Sequence, residues 1–344
     1  MRTAMATTVP RWVWLATAVA VFITVVLGVC IGAVYITPAE IWATVTAQIS
    51  GEKLSDNNAY STIIWQLRLP RVLLAFLVGS ILASAGCAYQ GAFRNPLADP
   101  YLLGVSAGAG LGATLTIVYA STAPNFYLPL AAFGGALAAV SITYLLGRSA
   151  ISGRSSTALI LAGVAVASVL TAAQTLVQQQ NTDVLREVYT WILGRLSTSG
   201  WGELLVIAPY IVICSIVLLR YRRVLDVFSV GDEEAQTMGL PVARARGAII
   251  VAASLGTAAA VSFTGLIGFV GIIVPHILRL VVGNSYRILL PLSVIYGGIF
   301  LVLADILART LLAPQEIPIG VVTALLGAPF FLFVLGSRTS GSIT

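Results

Sequence analysis

Residues 68–112 read RLPRVLLAFLVGSILASAGCAYQGAFRNPLADPYLLGVSAGAGLG, and the order of polarity within them decides the fold. From Val72 to Gly91 there is no charged residue, while arginines stand before the run at Arg68 and Arg71 and after it at Arg94. A helix of about 20 apolar residues crosses a hydrocarbon core of about 30 Å, and a helix satisfies its own backbone in lipid. The chain then turns. Asn95-Pro96 and Asp99-Pro100 are turn-forming pairs, because proline pushes the residue before it out of the helical region. A second apolar run, rich in glycine, begins at Tyr101. The stretch predicts two membrane spans joined by a polar turn, with Arg94 and Asp99 placed to close it.

The same rhythm runs through the whole chain. Ten runs meet the test: Trp12–Val34, Val72–Gly91, Tyr101–Tyr119, Phe126–Leu146, Ala158–Val177, Leu204–Leu219, Ala248–Phe263, Gly268–Val282, Leu289–Leu312 and Ile319–Leu335, the sixth to eighth being short. With 58% hydrophobic and 9% charged residues, the chain lies far beyond a water-soluble composition of roughly 45–50% apolar. The prediction is an all-α, polytopic membrane protein of about ten transmembrane helices, with residues 1–344 forming a single domain. The first run is longer than the apolar part of a signal peptide and lacks a small-residue cleavage site, so it is expected to remain as a span.

Charge placement gives the orientation. A net charge of +6 raises the question of nucleic acid, yet the basic residues sit at span ends and form no single stripe, so no nucleic-acid partner is expected. With the N-terminus inside, the outer segments hold Lys53, Arg68, Arg71, Arg186, Arg195 and Arg309, and the rest of the 19 basic residues fall inside. That bias follows the positive-inside rule and puts both termini in the cytoplasm. Cys30, Cys87 and Cys214 all lie in apolar runs, which offers neither a disulfide framework nor a metal spacing.

Three polar stretches interrupt the spans. Thr37-Pro38-Ala39-Glu40 carries the signature of a helix start. Residues 178–203 mix polar groups with Tyr189, Trp191 and Trp201, aromatics suited to a membrane interface. Arg220 to Arg246 is the most charged, basic at both ends and acidic at Asp232-Glu233-Glu234. Gly231-Asp232 reads as a helix start and Gly239-Leu240-Pro241 as a stop. A short helix between two spans suits a soluble partner, and a plain solvated connection remains the alternative.

Other features carry competing readings. The glycines of 104–112 and 263–271 suit close helix packing or a broken span. An internal repeat at an offset of five spans would pair Pro96 with Pro275 and Gly104 with Gly283, and an odd offset would invert the copies. Asp305 and Arg309, four apart, suggest an intrahelical ion pair. Ser155, Ser156 and Thr157 read as a helix N-cap. A phosphate-binding loop needs Gly-Lys-Ser/Thr, and the one lysine, Lys53, is flanked by Glu52 and Leu54. An ion-driven transporter would show several ionisable groups within its spans, and Asp305 stands alone. An intramembrane enzyme would need a nucleophile and base or metal ligands, which one histidine and three scattered cysteines do not supply.

The stretch 68–112, together with GLIGFVGIIVPHILRL from Gly265 and LLPLSVIYGGIFLVLADILARTLLAPQEIPIGVVTALLGAPFFLFVL ending at Leu335, resembles the FecCD family. These are permease subunits of type II ABC importers for iron–siderophore complexes, haem and cobalamin, similar to the vitamin B12 importer permease. The resemblance implies a ten-helix subunit of the bacterial inner membrane that pairs with a second copy. It also implies two cytoplasmic ATPases, which would bind ATP and magnesium, and an extracytoplasmic binding protein that delivers a metal chelate. No cofactor, metal site or catalytic residue of this chain's own is expected.

Carried over residue by residue, the resemblance makes Arg68, Arg71 and Arg309 docking sites for carboxylates of the binding protein; interfacial snorkelling is the competing reading. Ser156 and Thr157 would form a cytoplasmic gate. The segment of about 224–243 would be the coupling helix, with Gly231, Asp232, Glu233, Glu234, Ala235 and Gly239 touching or shaping the ATPase contact. Arg94, Asn95, Pro96, Asp99, Pro275 and His276 belong to structural motifs. His276 as a haem ligand is the weaker reading, because the family shows the same motif whatever its cargo. A ferric siderophore is the first expectation for cargo, with haem or cobalamin the alternative.

Overall fold

The computed structural model describes residues 10–32, 34–50, 59–149, 156–196 and 200–339, and every regular element among them is helical. Ser155, Arg154, Lys53 and Arg2 lie outside the described residues. In chain order the helices are α1 (Arg11–Cys30), α2 (Pro38–Ser50), α3 (Ala59–Thr62), α4 (Leu69–Phe93), α5 (Val105–Tyr119), α6 (Tyr127–Ser149), α7 (Ser156–Gln180) and α8 (Leu185–Ile192). There follow α9 (Gly202–Arg220), α10 (Arg222–Phe228), α11 (Asp232–Thr237), α12 (Val242–Thr264), α13 (Val270–Val282), α14 (Tyr286–Thr310) and α15 (Ile319–Thr339). A π-helical stretch, Ile63–Arg68, joins α3 to α4 into one long helix from Tyr60 to Phe93.

Seven of these helices are long and apolar enough to cross a membrane, and three shorter apolar ones, within α5, α13 and α15, complete the ten predicted runs. Two of the runs expected to be short are full length, since α9 has 19 residues and α12 has 23. Hydropathy begins α12 too late because the helix already includes Arg244 and Arg246, and Arg246 is only 6% exposed, with its guanidinium satisfied by neighbours described below. The predicted start at Thr37 is present as a capping box. Thr37 N donates to Glu40 Oε2 at 2.8 Å, and Glu40 N donates to Thr37 Oγ1 at 3.4 Å.

Helix α4 is the core of the bundle. Its hydrophobicity is nearly uniform around its circumference, as expected of a helix enclosed by protein, and 83% of its apolar window is buried. Small residues set how closely its neighbours approach. A Cβ on Gly79 would lie 2.2 Å from Gly297 O of α14, and one on Gly86 would lie 2.1 Å from Gly271 O of α13. Without hydrophobic drive between helices in lipid, such backbone-to-backbone packing is a main source of association. Helix α7 is the opposite case: only 17% of its apolar window is buried.

Helices α5 and α13 have 15 and 13 residues, giving lengths of roughly 22 and 20 Å, too short to cross alone. Each is preceded by irregular chain, and the two irregular segments meet. Tyr101 Oη donates to Ile267 O at 2.9 Å and accepts from Ile267 N at 3.1 Å. Irregular backbone is tolerated in a membrane protein where protein encloses it. Both helices follow a left-handed residue, Gly104 (φ 82°) and Phe269 (φ 68°). This corrects the expected repeat pairing: Gly104 precedes α5, whereas Gly283 follows α13, and Pro275 lies inside α13 while Pro96 lies in a turn. Phe269, not Gly283, occupies the position that Gly104 has.

Candidate functional site

The long exposed flank of α7 carries a groove. A cavity of about 900 Å³ runs along it, lined by Asp99, Tyr101 and Leu102 from the α4–α5 connection and by α7 from Gly163 to Gln179. Ser168, Thr171, Thr175 and Gln179 recur at three- and four-residue spacing, so they share one helical face, and all four are exposed. Leu161 and Val169, 70% and 68% exposed, lie on α7 outside the lining. Ser168 Oγ donates to Val164 O and Thr175 Oγ1 donates to Thr171 O, each at 2.9 Å, so these two hydroxyls are satisfied by their own helix and stand at the groove as small polar groups. Asp99 is the charged group of the lining, its Oδ1 accepting from Tyr101 N at 2.7 Å. Burial pushes its carboxyl up to about 6.

The connection that shapes this groove closes differently from expectation. No Arg94–Asp99 pair forms; instead Asn95 Oδ1 accepts from Leu97 N at 2.9 Å and Asp99 makes its own local turn. Arg94, exposed, ends α4 in the left-handed conformation (φ 52°), and Pro96 is exposed beside it. Ser156 begins α7, with its side chain outside the described residues, and Thr157 follows it at the exposed surface, before the groove lining starts. His276 and Pro275 are buried in α13. The imidazole stands edge-on to Phe330 with ring centroids 5.8 Å apart, inside the α13–α15 contact, which is a packing environment.

At the end of the bundle where α4 begins and α14 finishes, five charged side chains converge. Asp305, 1% exposed, pairs with Arg309 Nε at 3.0 Å, the expected four-residue pair. It also accepts from Arg71 Nη2 at 2.8 Å. Arg71 holds Glu316, in the α14–α15 connection, with Nη1 and Nη2 each 2.9 Å from a carboxylate oxygen. Arg309 Nη2 donates to Gly28 O at 3.0 Å. Arg68 departs from the expected surface position. It is 7% exposed and donates from Nη1 to Val29 O at 2.7 Å and Cys30 O at 2.9 Å, and from Nη2 to Val34 O. These carbonyls lie at the end of α1 and just beyond it, Cys30 O also accepting from Ile36 N, so the guanidinium acts as a C-cap supplied from another helix. Of the three arginines expected at the surface, only Arg71, with 13% of its side chain accessible, reaches it.

The opposite end holds the predicted coupling segment. Helix α11 starts after Gly231 (φ 151°) and ends before Gly239 (φ 80°), as the sequence implied, with Asp232, Glu233 and Glu234 in its first turn and Ala235 buried. Arg246 fixes it, and Asp226 ties the neighbouring α10 to α14. Arg246 Nη2 donates to Asp232 Oδ1 at 2.7 Å, its Nε donates to Ala92 O at the end of α4 at 3.0 Å, and it lies 5.2 Å above the Phe228 ring. The hydrogen bond from Arg246 holds the Asp232 carboxyl below its usual range, so this contact persists through mildly acidic pH and is lost only as pH falls through that lowered value. Asp226 of α10 accepts from Tyr286 N at 2.6 Å and Ser285 Oγ at 3.0 Å, capping α14 from a different helix.

A bundle of apolar helices, an exposed groove with a polar stripe set in a mostly apolar lining, and two differently built ends make up a polytopic membrane subunit. The chain belongs to the FecCD transport family, whose profile matches residues 20–337. It is 44% identical to the cobalamin import system permease protein of Halobacterium salinarum, over 80% of this chain and 74% of that one. It is 35% identical to an Fe(3+)-citrate import system permease protein of Bacillus subtilis, over 92% of each. A solved structure reported as a metal-chelate type ABC transporter in an inward-facing conformation superposes with a TM-score of 0.84 at 29% identity, covering 95% of this chain and all of that one.

Proposed function

We propose that this chain is the membrane-spanning subunit of an ATP-driven importer that moves a bulky metal chelate into the cytoplasm, a ferric siderophore first. The observation that carries the reading is the groove along α7: about 900 Å³, polar along one stripe, and open on a helix that its own subunit leaves largely uncovered. A second copy facing it would enclose a path, and small hydroxyl and amide side chains would pass a large cargo without gripping it. The α11 end faces the cytoplasm, where two ATPase subunits seat on it. The Arg71 end faces outward and receives the binding protein. Thr157 and Ser156 lie at the cytoplasmic approach to the groove. Membrane lipid covers the remaining apolar flanks.

Haem or cobalamin is the second reading, favoured by the cobalamin permease relative. Reconstituted in liposomes with its ATPase and binding protein, the complex is expected to accumulate ferric siderophore when ATP is present and to stall without it. Accumulation driven by a proton or sodium gradient in the absence of ATP would refute the importer reading. Uptake of haem or cobalamin alone would move the cargo assignment to the second reading.

A further inference from the structure

The outward cluster contains three arginines and two carboxylates, and its two acids differ in one decisive respect. Asp305 is 1% exposed and grips both Arg71 and Arg309, so it is fixed. Glu316 is 50% exposed and holds Arg71 by a two-bond fork from a connection outside the helices. A guanidinium has five N–H groups in a planar fork. On Arg71, Nε and one Nη2 hydrogen face Asp305, while the other Nη2 hydrogen and one from Nη1 face Glu316. A single Nη1 hydrogen remains, which is too little for another carboxylate to take with two bonds.

We propose that Glu316 is an internal stand-in for a carboxylate of the extracytoplasmic binding protein, occupying the outward edge of Arg71 until that carboxylate displaces it. The proposal rests on the reading of Arg71 as a docking arginine. Displacement exchanges one bidentate pair for another of the same chemistry, so the net affinity is small and the contact is readily reversed. Such exchange suits a partner that must leave after each delivery. Asp305 keeps the guanidinium in place throughout, so the site does not collapse when Glu316 swings away. The released Glu316 carboxylate then faces water at the rim.

The test uses the intact permease–ATPase complex in lipid nanodiscs, with the importer's own extracytoplasmic binding protein as the probe, and follows its dissociation. E316Q keeps the shape and removes the competing charge. It is expected to slow dissociation about tenfold, and to do so at high salt as well as low, because the gain lies in a contact and not in long-range steering. E187Q, which removes an exposed acid of α8, serves as the control for net charge. In an R71Q background, E316Q is expected to have no effect.

Faster or unchanged dissociation from E316Q, with R71Q still weakening capture, would overturn the stand-in role and leave the docking site intact. An E316Q effect that E187Q reproduces, or that vanishes at high salt, would overturn it too. Unchanged capture in R71Q itself would remove the docking reading on which the proposal depends.

Discussion

Replacing Asp305 with alanine is expected to destabilise the folded subunit by about 3–5 kcal/mol, the range for removing one member of a buried ion pair. Among the described residues Asp305 is the only carboxylate bound to Arg309, and it shares Arg71 with Glu316. Without it, Arg309 retains only backbone acceptors, its Nη2 on Gly28 O and its Nε 3.4 Å from the carbonyl of residue 305. An uncompensated guanidinium at 6% exposure is the source of the loss. Thermal unfolding of the detergent-solubilised protein should show D305A melting well below the parent, with D305N intermediate because it can still accept hydrogen bonds. A melting temperature within a degree or two of the parent would show that the cluster contributes little. Measuring stability rather than uptake separates this role from docking.

The second large effect is at the other end. R246A is expected to uncouple ATP hydrolysis from uptake, lowering chelate accumulated per ATP by about tenfold, within the 5–150-fold range of typical coupling free energies. Arg246 links three elements in one side chain: α11 through Asp232, the end of α4 through Ala92 O, and α10 by lying over Phe228. A push on α11 therefore reaches the central helix α4 directly. R246K retains the charge but lacks the planar fork that bridges Asp232 and Ala92, and it should recover only part of the coupling. ATPase activity of the complex should persist in both variants. An unchanged ratio of uptake to hydrolysis in R246A would show that force passes elsewhere.

What the sequence reveals here follows the range of each interaction. The spans are legible because lipid imposes length and hydropathy on contiguous residues, and α11 is legible because Gly231 and Gly239 punctuate it locally. The Asp305–Arg309 pair is legible because its members are one helical turn apart. Asp226, Arg246 and Glu316 escape because each acts on a partner that only the fold brings near, and their own neighbourhoods read as ordinary charged loops. Arg68 misleads for the same reason. An arginine at a span end suggests an exposed group, and nothing in its surroundings signals that the carbonyls at the end of α1 lie against it. The groove is partly legible, since Ser168, Thr171 and Thr175 are visible in the run, but which flank of α7 its own subunit leaves open depends on packing.

On the proposed path the polar stripe of α7 meets water, while the rest of its exposed surface meets lipid or a second copy. The native cysteines Cys30, Cys87 and Cys214 are buried, so single cysteines can be introduced and probed with a membrane-impermeant maleimide, which reacts with the thiolate formed in water. In the reconstituted complex, S168C, T171C and T175C should label, with rates that change when the ATPase is trapped with ATP, whereas L161C and V169C should stay nearly inert. Equal labelling of both sets, or stripe positions that never react in any nucleotide state, would show that the stripe does not line a water-filled path.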